Sequence, residues 1–170
     1  QEGVITEETR IRCDRSIIDC HGPHSNEDLR GAITHSCNPY FRGVLQRMLN
    51  QGASNNPYDD TRIGLQEWSR HIGSFGFGKR LGIDLPNEKG GLVPDPAYYD
   101  RAYGGRPWKF SNIYSIAIGE GENMVVPLQM ANFAATIANK GYYITPHLVK
   151  SIGTTGKSLP QFLEKHFTTI

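Results

Sequence analysis

Ala32-Ile-Thr-His-Ser-Cys-Asn-Pro-Tyr-Phe41 is the stretch on which the fold of this chain turns. A run of helical character ends at Ser36. Pro39 suits the first turn of a second helix, where its missing N–H costs nothing and its φ is already set. Between them, Ser36-Cys37-Asn38 puts a hydroxyl and a carboxamide two residues apart on a corner. Such a hydroxyl can relay a proton while the amide holds a neighbouring polar group, which suits acyl-transfer chemistry. Ser and Asn also serve helix-to-helix corners simply as caps. The corner therefore takes its meaning from the chain around it.

Upstream, residues 4–19 alternate polar with β-branched residues (Ile5, Thr9, Ile11, Ile17, Ile18) and predict one or two short strands. Asn26 is placed to cap a helix through His35, with Glu27 and Asp28 in the first turn where the helix dipole favours acids. Downstream, Tyr40, Phe41, Val44, Leu45, Met48 and Leu49 recur with helical period until Gly52 ends the run. Asp59 or Asp60 opens another helix with Ile63, Leu65, Trp68 and Ile72 on its apolar stripe. Residues 75–86 and 90–94 are glycine-rich and extended, and 95–103 predict a short helix rich in tyrosine. The apolar run 113–118 reads as a buried strand. Pro127 opens a helix that Gly141 closes, with Ala131, Ala134, Ala135 and Ala138 along one flank. Residues 146–152 read as extended, and a last short helix follows Pro160. The sum is a mainly helical α+β chain with short marginal strands.

With 170 residues the chain fits one domain with a real core. A net charge of +1 gives no electrostatic footprint for nucleic acid or an anionic membrane surface. No apolar run is long enough to span a membrane, and no signal peptide opens the sequence, so any anchor is expected to precede it. Cys13 and Cys20, with His21 and His24, have the composition of a metal cluster without zinc-finger spacing or a second ligand pair. Buried thiols or a loop disulfide are expected there instead. No metal ligand and no cofactor is assigned, and Cys37 is left as a small apolar filler. Gly76, Gly78 and Gly82 do not lead into a helix, and Gly156-Lys157-Ser158 lacks the earlier glycine of a phosphate loop. Nucleotide binding is set aside.

Several segments in order resemble the transpeptidase domain of class B penicillin-binding proteins, most closely the elongation-type branch. They are residues 32–41 quoted above, Phe75-Gly-Phe-Gly-Lys-Arg-Leu-Gly-Ile-Asp-Leu-Pro86, Gly91-Leu-Val-Pro94, Ala117-Ile-Gly-Glu-Gly121, Pro127-Leu-Gln-Met-Ala131, Asn139-Lys-Gly141 and Thr145-Pro-His-Leu-Val149. Gly119-Glu-Gly121 departs from the family's usual Gly-Gln-Gly. The family uses three motifs, Ser-x-x-Lys, Ser-x-Asn and Lys-Thr/Ser-Gly. Ser36 and Asn38 match the second. No serine in the chain is followed three positions later by lysine, and neither Lys-Thr-Gly nor Lys-Ser-Gly occurs. The chain is accordingly expected to be an internal piece, 1–170, of a transpeptidase domain and inactive alone.

The resemblance implies a parent enzyme that cross-links peptidoglycan stem peptides through an acyl-serine intermediate and is acylated by β-lactams. It implies a periplasmic location on the inner membrane, with a glycan-strand polymerase and elongation machinery as partners. Within the site, Ser36 would relay a proton toward the leaving amine, and Asn38, made extended by Pro39, would bond the lysine ammonium. A non-catalytic β-lactam sensor of the same fold is the alternative. Tyr40, Phe41, Trp68 and Phe133 are expected in the core. Tyr98, Tyr99, Tyr103 and Trp108 lie where aromatics can also face a partner.

Overall fold

The computed structural model describes residues 3–22, 24–154 and 156–169. The elements, in order, are β1 (Ile11–Arg12), β2 (Asn26–Glu27), α1 (Leu29–Thr34), α2 (Asn38–Leu49), α3 (Pro57–Ser74), α4 (Pro96–Ala102) and α5 (Phe110–Ile113). A 3₁₀ turn (Tyr114–Ile118), α6 (Pro127–Ala138), β3 (Tyr142–Ile144), a second 3₁₀ turn (Pro160–Phe162) and β4 (Lys165–Phe167) follow. The chain is mainly helical with two small antiparallel sheets, as the sequence predicts. It divides into two units, one of Gln1–Trp68 with Asp95–Gly121, the other of Ser69–Pro94 with Glu122–Ile170.

The first unit is built round Leu45 and Leu49 of α2, Leu65 of α3, Tyr99 of α4, Trp108, Phe110, Ile113 and Ile116. Tyr99 and Trp108 are buried here, so these aromatics are core anchors rather than partner-facing groups. Helices α2 and α3 meet at Gly64, where a Cβ would lie 2.1 Å from the carbonyl oxygen of Leu49. Only glycine allows that approach. Ile63, placed on the apolar stripe by periodicity, is 46% exposed. Asp60 is buried in the first turn of α3. Burial works to raise its carboxyl, but the Asn50 amide and the N–H groups of Gly52, Ala53 and Ser54 hold it below the usual carboxylate value. The Asn50 amide also donates to the Thr61 hydroxyl over 2.8 Å.

Several local expectations shift. Asn26 lies in β2, paired with Arg12, and the residue that caps α1 is Asp28, whose carboxylate accepts from the Gly31 N–H at 2.8 Å. Helix α2 starts at Asn38, so Asn38 is helical, and Cys37 carries the extended backbone instead. Helix α3 opens at Pro57, ahead of Asp59 and Asp60. Residues 113–118 form the end of α5 and a 3₁₀ turn rather than a strand. A short apolar run fits either a strand or a buried helical turn, and here the packing of Ile113 and Ile116 decides.

The second unit packs Phe75 and Phe77 against Phe133 and adds a network of buried hydrogen bonds. The buried side chains of α6 are Gln129, Asn132 and Thr136, while Ala131, Ala134, Ala135 and Ala138 face solvent. The Gln129 amide nitrogen donates to the carbonyls of Gly76, Lys79 and Gly90 at 3.1, 2.9 and 2.8 Å. Its oxygen accepts from the Val126 N–H at 3.0 Å. The glycine-rich loop therefore turns carbonyls, not N–H groups, inward at Gly76 and Lys79. Further on, the N–H groups of Leu81, Gly82 and Ile83 do surround an anion, which is the chain's own Glu88 carboxylate. Strand β3 pairs with β4, Tyr143 opposite His166. Ile152 bridges Lys157, consistent with a turn there.

Candidate functional site

The Ser36 corner is a helix C-terminus of a defined kind. After α1, the Ser36 N–H donates to Ile33 O at 3.3 Å, and the Cys37 N–H donates to Ala32 O at 2.9 Å. That bond pair closes a helix when the intervening residue is left-handed, a place usually filled by glycine. Here Ser36 takes it, with φ of 50°. A residue with a Cβ is strained there by about 1 kcal/mol or more. Helix α2 then starts on Cys37, with no side-chain cap bond. The capping explanation for Ser36 therefore fails, because its hydroxyl takes no part in ending α1 or starting α2. Ser36 is exposed, and among the described residues nothing holds its Oγ.

Asn38 is half-buried, and its amide nitrogen donates to the Asp19 carbonyl at 3.0 Å. That bond fixes which way the amide faces and leaves Oδ1 as an acceptor. Ser36 and Asn38 thus present a hydroxyl that no described residue holds and an oriented carbonyl oxygen, while the residue between them points inward. Pro39 and Tyr40 are buried beneath, and the Tyr40 hydroxyl donates to Thr9 O at 3.2 Å.

The inward residue, Cys37, is not an isolated filler. Its Sγ meets Cys13 Sγ, Cys20 Sγ and a ring nitrogen of His24, all lying within 4.8 Å of one another. Cys20 Sγ is 3.5 Å and Cys13 Sγ 4.0 Å from His24 Nδ1. All three cysteines are free thiols, the first of the two alternatives the sequence left open. Burial pushes the Cys37 thiol up to about 12. Burial also raises Cys13. At Cys20 burial is opposed by the Asn38 N–H and the neighbouring thiols, and the thiol falls below its ordinary value. The His24 ring stacks on His35, centroids 4.9 Å apart, and His35 Nδ1 lies 3.4 Å from Glu27 Oε2.

A tetrahedral zinc with bonds of about 2.0–2.3 Å spaces its donors about 3.5–3.8 Å apart. Three thiols and one imidazole gathered within 4.8 Å are a donor set of that kind, and a contraction of up to about 1 Å brings them to that spacing. Spacing in sequence pointed away from a metal because the third sulfur comes from the Ser-x-Asn corner, far from the other two along the chain. His21, grouped with His24 in sequence, is not among the donors. The signal available beforehand was the cysteine inside the corner itself.

The model of the penicillin binding protein transpeptidase domain matches residues 1–167. The peptidoglycan D,D-transpeptidase MrdA of Acinetobacter baumannii is 30% identical over 128 residues, 75% of this chain and 17% of that protein. Pseudomonas aeruginosa PBP2, solved in complex with WCK 5153, superposes with a TM-score of 0.70 at 22% identity, over 99% of this chain and 36% of that one. Helicobacter pylori PBP2, solved in complex with MreC, gives a TM-score of 0.62 at 24% identity, over 91% of this chain and 26% of that one. The chain thus spans about a sixth of the curated relative, as the 17% coverage gives. With its ordered segments, its helical fold and its Ser36-Cys37-Asn38 corner, this chain belongs to the penicillin-binding protein transpeptidase domain family, on the class B branch of MrdA and PBP2.

Proposed function

We propose that these residues form the Ser-x-Asn wall of an elongation-type peptidoglycan D,D-transpeptidase whose nucleophilic serine, its lysine and its Lys-Thr/Ser-Gly strand come from residues outside this chain. The supporting observation is Ser36 itself. It occupies a left-handed position that glycine would fill with less strain, and among the described residues nothing holds its hydroxyl. In the acyl transfer, Ser36 Oγ relays the proton between the lysine and the leaving D-Ala amine. Asn38 Oδ1 accepts from the lysine ammonium or a substrate amide, its other end held by Asp19. The substrates are stem peptides, and β-lactams acylate the same serine.

No helix among the described residues is long and apolar enough to cross a membrane. The location we propose, from the likeness to MrdA and PBP2, is the periplasmic face of the inner membrane. The partners are those of wall elongation, a membrane glycan-strand polymerase and an MreC-like scaffold. The test is labelling with a fluorescent penicillin. The 170-residue chain takes no covalent label while the longer protein that contains it does. Stoichiometric labelling of the isolated chain overturns the assignment.

A second reading is carried by the cluster. Cys13, Cys20, His24 and Cys37 form a structural zinc site that braces the corner from behind, since Cys37 is the middle residue of the motif. One zinc per chain on metal analysis, with thiolate-to-metal absorption after cobalt substitution, supports it. A chain that folds and takes up neither metal excludes it.

A further inference from the structure

Three of the four donors in the cluster are oxidisable thiols, which a zinc site does not require, because carboxylates also ligate the ion. The three are not equivalent. Cys13 and Cys20 keep 9% and 7% of their surface, whereas Cys37 is sealed at 0%. A small oxidant entering from solvent meets Cys13 or Cys20 first. Cys13 follows β1 directly, its N–H on Ser25 O at 2.9 Å, and Cys20 lies in a loop outside any helix or strand, while Cys37 is fixed between α1 and α2. A shift of Cys20 by a few ångströms brings its sulfur from within 4.8 Å of Cys13 to bonding distance, about 2.05 Å. A residue pinned at a helix junction cannot do so as readily.

We propose that Cys13 and Cys20 are an oxidation-sensitive pair whose disulfide expels the metal and slackens the Ser36-Cys37-Asn38 corner, a switch that rests on the zinc reading above. The oxidant class is a peroxide. One thiolate attacks hydrogen peroxide, an S–O bond forms, the O–O bond breaks, and the leaving hydroxide takes a proton to become water. The second thiolate attacks the sulfenic sulfur, the S–S bond forms, and the S–O bond breaks with loss of hydroxide, which takes the second proton. Two thiolates, one peroxide and two protons give one disulfide and two waters. The sulfur pair loses two electrons, and the peroxide gains them. Cys37 and His24 alone remain as donors, too few for a closed tetrahedral site.

The route to the corner is short. The Asp19 carbonyl that holds the Asn38 amide at 3.0 Å precedes Cys20 directly in the chain. Drawing Cys20 toward Cys13 shifts that carbonyl, and metal loss frees Cys37. Both supports of the motif are relaxed by one reaction.

The test uses the 170-residue chain loaded with zinc, exposed to hydrogen peroxide beside a chromogenic zinc chelator, with peptide mapping of the product. The expected result is one zinc released per chain with a Cys13–Cys20 disulfide. Cys13→Asp, which keeps a ligand but removes the pair, should release zinc about tenfold more slowly or less readily still. Cys37→Asp retains the pair and should release at least as fast as the parent chain. Zinc that binds but leaves without a Cys13–Cys20 bond, through Cys37 or through sulfinic acid, overturns the switch and leaves the zinc reading standing. A chain that takes up no zinc overturns both. Mapping of the unsubstituted chain decides the pairing even where a variant fails to fold.

Discussion

In the unit that carries Ser36, Leu45, Leu49, Leu65, Tyr99, Trp108 and Ile113 close on one another as an apolar core. In the other unit, the buried face of α6 is Gln129, Asn132 and Thr136, and one Gln129 amide ties together the carbonyls of Gly76, Lys79 and Gly90. Burial of hydrocarbon tolerates small changes of shape, because a neighbouring side chain can partly fill the space. A saturated polar centre does not, because removing one group leaves its buried partners unpaired. The first unit can thus hold a strained, exposed corner on a forgiving base. The second gains a fixed loop path at the cost of sensitivity to single atoms.

The largest effect expected is therefore in the second unit. Gln129→Leu keeps volume but orphans three carbonyls and the Val126 N–H, and should cost about 4 kcal/mol. Urea denaturation measures the loss, and hydrogen exchange should show it first across residues 75–90. A cost below about 1 kcal/mol would show that polar contacts do not carry this unit.

Gly64→Ala comes next, at about 3 kcal/mol, because the new methyl meets backbone of Leu49 rather than a mobile side chain. Its exchange signature should appear along α2 and α3. Protection unchanged in α2 would count against the close approach.

Asp60→Asn should cost about 2 kcal/mol at neutral pH, through the lost charge-assisted bonds to Asn50, Ala53 and Ser54. The folded carboxyl lies below its unfolded value, so its stabilisation is fully present above the unfolded value. It is lost as pH falls through the folded one. The gap between parent and variant in urea midpoint should therefore shrink in acid, and a gap constant from pH 7 to about 2 would contradict this. Ser36→Gly is the smallest and opposite in sign, a gain of about 0.5–1 kcal/mol from relieving the left-handed serine.

Much of this was legible beforehand, and the misses have physical causes. Pro39 and Pro127 marked helix starts because a proline near the first turn is a local signal. The strand expected at 113–118 failed because a short apolar run carries no period that separates strand from helical turn. The partner of β3 was invisible, as Lys165–Phe167 has no alternation long enough to read. In the site, Ser36 and Asn38 were singled out from the corner and its ordered neighbours, and the structure sets them on either side of the buried Cys37. The gathering of Cys37 with Cys13, Cys20 and His24 was not, because it is made by the fold across irregular chain. Nor was the role of Gln129, which depends on carbonyls 39 to 53 residues away.

On the function proposed above, Ser36 is kept for chemistry and not for the fold. The decisive measurement is the rate of acylation of the full-length protein with a fluorescent penicillin, parent against Ser36→Ala, with melting temperature measured on the same samples. Acylation should slow by about a hundredfold or more, as for loss of a proton relay, with the melting temperature nearly unchanged. Near-normal acylation together with a clear fall in melting temperature would contradict it.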